Sequence, residues 1–257
     1  MTNTQALQQA YALLAPYSDK QRWEFNNNLV HLRFITRYIP KTAGILDVGC
    51  GIGILDMALA LLGYKVAGID KYVFKDNNSF SIDDINGLRR IWDAQGLAIQ
   101  PQDILRDDIA ERYGAVISIA TIEHQKDPKK FLENIQRAVR PGGLVYIATP
   151  NLSHLLNRVR FCFGRSPLSA HLKQWFARGE DFAGHWREYT LAELAGMMRW
   201  LDFEIIAARN LQSLRPRVTA ASPRSWYVNF FRLCAYALPG ARDTNIIIAR
   251  KKETYGK

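Results

Sequence analysis

ILDVGCGIG, residues 45–53, decides how this chain reads. Apolar residues and Asp47 run into a turn with glycine at every second position, Gly49, Gly51 and Gly53. A strand ending in such a turn builds a backbone cradle for a nucleotide. A dinucleotide fingerprint needs its third glycine after two further residues, and Ile54 stands there. A phosphate loop needs Gly-Lys-Ser/Thr, and none follows. Asp47 beside the loop disfavours phosphate and favours a cation.

The next apolar run, KVAGID (65–70), ends in Asp70, at the separation from the loop where a carboxylate takes both hydroxyls of a ribose. After a short third run, QDI presents Asp103, whose carboxylate can accept from an adenine amino group. A helix cap or turn at Asp70 and a turn-forming role at Asp103 are the plain structural alternatives.

Around these residues, short β-rich runs alternate with amphipathic helices. Strands are expected at GILDV, KVAGI, LAIQPQ, GAVISIA, LVYIATP, FEIIAARN and TNIIIARK. Helices are expected at ILDMALALL, IDDINGLRRIWDAQG, DPKKFLENIQRAVR and TLAELAGMMRWL. That order means an α/β fold, a doubly wound parallel sheet with right-handed crossovers. No crossover helix joins the last two strands, so the last enters antiparallel. Residues 1–40 read as a helical cover, with Trp23, Leu29, Val30, Phe34, Ile35 and Tyr38 along one face and Pro40 as its stop. Residues 151–190 and 210–244 fall outside the alternation and read as insertions that cover a substrate. The 257 residues fit one such domain.

The chain resembles the class I S-adenosylmethionine-dependent methyltransferases of the small-molecule type. The resemblance rests on ILDVGCGIG, VAGID, ISIATIEHQKDPKKFLENIQRAVRPGGLVYIATPN and HWREYTLAELAGMMR, in that order, across most of residues 45–200. It implies a seven-stranded, mostly parallel sheet with an antiparallel last strand, and S-adenosylmethionine as cofactor. It implies further that Asp47, Gly49, Gly51 and Gly53 line the path of methionine and adenosine, and that Asp70 holds the ribose. Asp103 and the backbone of Ile104 would meet the adenine, and Ala120 would pass close to the donor. Tyr113-Gly114, where the family often has Asp after an aromatic residue, is a departure at a position distant from the sulfonium.

A methyl group on a sulfonium is already activated, so the protein must align an acceptor, exclude water and, for a hydroxyl, remove a proton. No metal is required. His124 in IEH follows the fourth strand at the sheet edge where such folds bind ligands, with Glu123 beside it to orient the ring. His185 in HWREY precedes a helix capped by Thr190 and Glu193, and could close over the acceptor with Tyr189. A His-Glu pair pinning a loop is the structural alternative at His124. His31, His154 and His171 carry no supporting motif.

The net charge of +10 is uneven: residues 1–150 carry 17 Lys+Arg against 16 Asp+Glu, and residues 151–257 carry 17 against 8. Anionic substrates, phosphate or an anionic membrane surface suit the basic half. The first insertion interleaves aromatics with arginines, and the second holds SWYVNFFRLCAYAL behind Arg215, Arg217 and Arg224. The latter is too short to span a bilayer and reads as an interfacial stretch or a packed lid. The first insertion and REYTLAEL are similar to bacterial methyltransferases of surface polysaccharide and glycolipid assembly. The leading expectation is therefore O-methylation of a sugar on a glycan or lipid-linked intermediate. A quinone-like or other lipid acceptor comes second, RNA third, and a non-catalytic subunit of the same fold last. Cys50, Cys162 and Cys234 form neither a zinc pattern nor a disulfide framework, and the amino terminus does not look like a signal peptide. A cytoplasmic setting, with peripheral membrane contact, is expected.

Overall fold

The computed structural model describes residues 1–18, 25–72, 81–107, 109, 111–166, 172–212 and 223–253. Trp23, His171, Arg215 and Arg217 lie outside them.

Three helices come first, α1 (Asn3–Leu13), α2 (Ala15–Ser18) and α3 (Phe25–Tyr38). Strands and helices then alternate: β1 (Gly44–Val48), α4 (Ile54–Leu61), β2 (Lys65–Asp70), α5 (Ile82–Ala94), β3 (Ala98–Pro101), β4 (Tyr113–Ile119), α6 (Pro128–Ala138) and β5 (Val139–Pro150). The first insertion holds α7 (Leu155–Cys162) and α8 (Leu172–Arg178). After α9 (Leu191–Trp200) and β6 (Phe203–Leu211), the second holds α10 (Pro223–Ala237), and β7 (Thr244–Lys251) closes the sheet. The strand order is β3-β2-β1-β4-β5-β7-β6. β1 to β5 pair in parallel, and β7 runs antiparallel between β5 and β6, although the connection from β6 to β7 does hold a helix, α10, which packs against α7.

Residues of alternate parity along each strand feed two separate cores, one on each face of the sheet. Ile45, Ala115, Ile117, Tyr146, Ile246 and Ile248 pack under α1, α3, α4 and α5. Leu46, Val116, Val145, Ile147 and Ile247 pack under α6 and α9. The α6 helix starts at Asp127, whose carboxylate accepts from Lys130 N at 2.9 Å, and buries Phe131, Leu132, Ile135 and Ala138 along one stripe.

Two local expectations need correction. The helix expected over 127–140 stops at Ala138, and Val139 already pairs with Tyr113 of β4. Pro141 excludes the residue before it from helical geometry, so the chain extends early. On α3 the buried positions are Leu29, His31, Leu32 and Ile35, while Val30, Phe34 and Tyr38 remain partly exposed. His31 enters the core because its Nδ1 meets the Tyr146 hydroxyl at 2.7 Å. The Tyr113-Gly114 departure falls at the start of β4, the sheet edge opposite the glycine turn.

Candidate active site

The carboxyl ends of β1, β2, β4 and β5 form one edge of the sheet. At β1 the backbone turns through Gly49 (φ 82°), Gly51 (φ 56°) and Gly53 (φ 77°), and Gly53 caps α4 without a side chain. A Cβ at Gly49 would lie 2.2 Å from Thr121 Oγ1, so this glycine lets the turn close on the segment after β4. A Cβ at Gly51 would meet nothing within 4 Å, which leaves open space over the middle of the turn. Asp70 reaches across from β2: its Oδ2 accepts from Gly51 N and its Oδ1 from Tyr72 N, each at 3.0 Å. Each carboxylate oxygen keeps a second lone pair for a ligand hydroxyl.

Sequence reasoning missed three groups here. The Tyr72 hydroxyl donates to Gly51 O at 2.7 Å, and its ring stacks on Trp92 with centroids 6.1 Å apart. Trp92 Nε1 donates to Ile52 O at 3.1 Å and so ties α5 to the turn. Asp56, in the first turn of α4, is buried beside Asp47. Burial, then the charge of Asp70, pushes the Asp47 carboxyl up to about 7. Burial, then Asp47, raises Asp56 well above the carboxylate range. An aromatic two residues past Asp70 and an acid inside an apolar helix were the available signals. Asp103 behaves as a turn aspartate: its Oδ1 accepts from Leu105 N at 2.9 Å, and its Oδ2 lies 3.8 Å from Arg106 Nε. Ile104 is buried, and its carbonyl accepts from Asn134 Nδ2.

Beyond β4, Ala120 takes a left-handed conformation (φ 52°) uncommon for a side-chain-bearing residue and donates its N–H to Ala148 O at 2.9 Å. That bend sends Ile122–His124 across the sheet edge as a single 3-10 turn. His124 Nδ1 lies 3.0 Å from Ala183 O and 3.2 Å from Gly184 O. Both partners accept only, so Nδ1 carries the proton and Nε2 keeps its lone pair. Burial, then the neighbouring His185, holds this imidazole below its ordinary pKa. The two rings meet edge to face at 4.8 Å.

His185 has the opposite bias. Its Nδ1 pairs with Glu188 Oε1 at 3.0 Å, and that bond raises its pKa against the effect of burial. Glu123 is fully buried; one oxygen accepts from the Thr149 hydroxyl at 2.9 Å and the other has no partner. Burial pushes its carboxyl up to about 7. Its backbone carbonyl accepts from Trp186 N at 2.8 Å and binds the HWREY segment to the sheet edge. One potential ligand atom from each of Glu123, His124 and His185 lies within 4.8 Å of the others. The structure thus brings His124 and His185 together and gives Tyr189 a different place from the one expected. Tyr189 is buried in the core beneath α9, bridged to Asn151, with its hydroxyl unpartnered. His154 caps α7, its Nδ1 accepting from Asn157 N at 3.1 Å.

A doubly wound sheet with a glycine turn, an acid across from it on β2 and a polar cluster beyond β4 defines a nucleoside-donor transferase fold. Residues 19–208 match the family model described as a methyltransferase domain, and the chain belongs to the class I S-adenosylmethionine-dependent methyltransferases. It is 33% identical over 129 residues to a ubiquinone biosynthesis O-methyltransferase of Paraburkholderia phymatum, covering 48% of this chain and 52% of that one. It is 30% identical over 172 residues to the protein of that name from Burkholderia vietnamiensis, covering 65% and 66%. The chain thus spans between half and two thirds of the length of these relatives. Among solved structures, it superposes on the Burkholderia thailandensis 1,6-didemethyltoxoflavin N1-methyltransferase, bound to its substrate and S-adenosylhomocysteine. The TM-score is 0.58 and the identity 14%, over 95% of this chain and 88% of that one. The residues fit the family's donor: the space over Gly51 is open, and three carboxylates gather there with no cation among the described residues acting on Asp47 or Asp56.

Proposed function

We propose that the protein transfers the methyl group of S-adenosylmethionine to a hydroxyl on a quinone-like, ring-bearing acceptor. The observation that carries this reading is His124: a neutral imidazole at the sheet edge with one nitrogen anchored by carbonyls and the other free. The donor supplies an electrophilic methyl carbon on sulfur. His124 Nε2 takes the acceptor's hydroxyl proton, and the donor, held by Asp70 and the glycine turn, would supply the methyl group to the oxygen. The proton rests on the imidazole while the sulfonium charge is discharged, so charge is conserved. His185, whose pKa the Glu188 carboxylate raises, is biased toward the protonated form and hydrogen-bonds rather than deprotonates. The names of the relatives favour the quinone-like acceptor over the sugar that the sequence put first, and nothing in them supports polysaccharide assembly.

The test is label transfer from methyl-labelled donor to a short-chain prenylated catechol and, in parallel, to glycan acceptors. His124→Ala should lower kcat/KM on the catechol by about 10²- to 10⁴-fold. Near-normal turnover of that variant, or preference for the glycan, overturns the reading.

An acceptor of this class dissolves in membranes, and one surface suits such a partner. Trp226, Phe230 and Leu233, at i, i+4 and i+7 of α10, are 75%, 62% and 62% exposed, with Tyr236 continuing the stripe. The helix contains no acidic residue and belongs to the half of the chain carrying 17 Lys+Arg against 8 Asp+Glu. This face docks on an anionic membrane surface. Among the described residues no helix is long and apolar enough to cross one. Co-sedimentation with phosphatidylglycerol vesicles should weaken when Trp226, Phe230 and Phe231 become Ser. Absence of binding by the native protein at low salt removes the docking.

A further inference from the structure

Asp56 stands apart from every other carboxylate in the described structure. It is 0% exposed, and among the described residues its oxygens find no partner other than the Asp47 carboxyl, which can bond it only if one of the two carries a proton. A buried acid with no other partner costs free energy unless it is neutral or meets a cation. Its surroundings sharpen the point. Asp47 faces it from β1, Asp70 stands at the end of β2, and Cys50 and Tyr72 are the other titratable neighbours among the described residues. Trp92 and Ile99 approach the same space from α5 and β3 and carry no charge. Among the described residues, none of the groups acting on Asp47 or Asp56 is a cation.

The position ties this acid to the glycine turn. Asp56 Oδ2 lies 3.6 Å from where a Cβ of Gly53 would stand, so the carboxyl sits beneath the third glycine of the turn. Two buried carboxyls packed together cannot both ionise while the site holds no positive charge, and one retains a proton. The family's donor brings two positive charges, an ammonium on its amino-acid end and the sulfonium. Neither can sit against Asp47 and Asp56 without making the ionised form of the pair far more favourable.

We propose that Asp56 is a donor-recognition residue: with Asp47 it holds a proton in the free protein and gives it up to solvent when the cationic amino-acid end of the donor enters. The step is a proton exchange, carboxylic acid to carboxylate plus a solvated proton, with no bond formed to the donor. Donor binding thereby depends on proton release. Affinity rises with pH through neutrality, by at most tenfold per pH unit for one proton, and levels off once the free pair has ionised. Asp56 acts as a charge filter, since a neutral nucleoside cannot displace the proton. This inference rests on the donor reading given above and deepens it.

Calorimetric titration of the full chain with S-adenosylmethionine at pH 7, in phosphate and in Tris, reads the proton directly. These buffers differ in ionisation enthalpy, so released protons appear as a buffer-dependent heat. The native protein should release between half a proton and one proton per donor bound. Asp56→Asn should release at most half as many, with donor affinity that no longer climbs between pH 6 and 8. Asp56→Ser serves the same purpose should the amide perturb the fold, with circular dichroism as the check. Donor binding by the native protein with no buffer dependence overturns the role of Asp56 and leaves the donor reading standing. Failure of the native protein to bind the donor at any pH overturns both.

Discussion

Alanine at two adjacent turn glycines should separate what the turn does for folding from what it does for the donor. Gly49 and Gly51 both have positive φ, which costs a side-chain-bearing residue about 1–2 kcal/mol. At Gly49 the new Cβ also meets Thr121 Oγ1 at 2.2 Å and Cγ2 at 2.8 Å, an overpacking that adds about 1–3 kcal/mol. Gly49→Ala should therefore destabilise the protein by about 3 kcal/mol in urea unfolding. Thr121→Ala removes both offending atoms and leaves only Cβ at 3.1 Å. The double variant should then recover at least about 1 kcal/mol relative to the sum of the singles. Gly51→Ala, with nothing within 4 Å, should cost only about 1 kcal/mol of stability. Its methyl enters the space assigned to the donor, so calorimetric affinity should fall at least about tenfold, a loss of about 1.4 kcal/mol. Additivity of Gly49→Ala and Thr121→Ala within about 0.3 kcal/mol refutes the packing argument. Native donor affinity in Gly51→Ala refutes the cradle.

Three further outcomes follow from the acceptor end. Glu123 is buried with its carboxyl pushed up to about 7 from 4.5, so the folded state binds more protons than the unfolded one in between. Native stability relative to Glu123→Gln should fall by about 3 kcal/mol from pH 4.5 to 7 and stay flat above, read by denaturant titration at each pH. Glu188 raises the pKa of His185, so the stability this pair contributes is complete below about pH 6.5 and disappears as pH rises through the folded-state value. The deficit of Glu188→Gln should accordingly be larger at pH 6 than at pH 9, and an equal deficit contradicts the pairing. Dialysis against EDTA should leave turnover of a catechol acceptor within about twofold if His124 acts as a base without metal assistance; loss restored by a divalent cation assigns Glu123, His124 and His185 to a metal instead.

The parts legible in the sequence share a local cause. The alternation of strands and helices, the glycine turn and the cap at Thr190 depend on residues within one element, so reading them needs no knowledge of distant packing. The antiparallel entry of β7 was expected for want of a crossover helix; the orientation holds, but the connection contains α10, which packs against α7. What escaped notice depends on partners remote in sequence. His31 looked like an unattached histidine because the Tyr146 hydroxyl that buries it lies 115 residues away. Tyr189 looked like a lid residue because nothing nearby shows that β7 fixes its carbonyl through Asn245 Nδ2 at 2.7 Å. Asp103 carries a donor role by resemblance; in the structure it also fixes its own turn by accepting from Leu105 N, with Arg106 3.8 Å from its other oxygen.

The two ends of the site also divide the electrostatic work of methyl transfer. Donor sulfur loses a positive charge at the glycine turn, and the acceptor loses a proton at His124. The first end is lined by Asp47, Asp56 and Asp70, where positive charge is welcome before reaction and its removal leaves buried acids uncompensated. The second end holds two histidines biased in opposite directions with ring centroids 4.8 Å apart, His124 toward the neutral form by burial and His185 toward the protonated form by Glu188. Once His124 is protonated, the neighbouring His185 lowers its hold on the new proton, which leaves to solvent. The carboxyl pair at the other end recovers a proton from solvent as the product leaves. Each turnover would then return both ends to their starting charge without a proton passing between them, which is why Asp56 and His124 should affect binding and turnover independently.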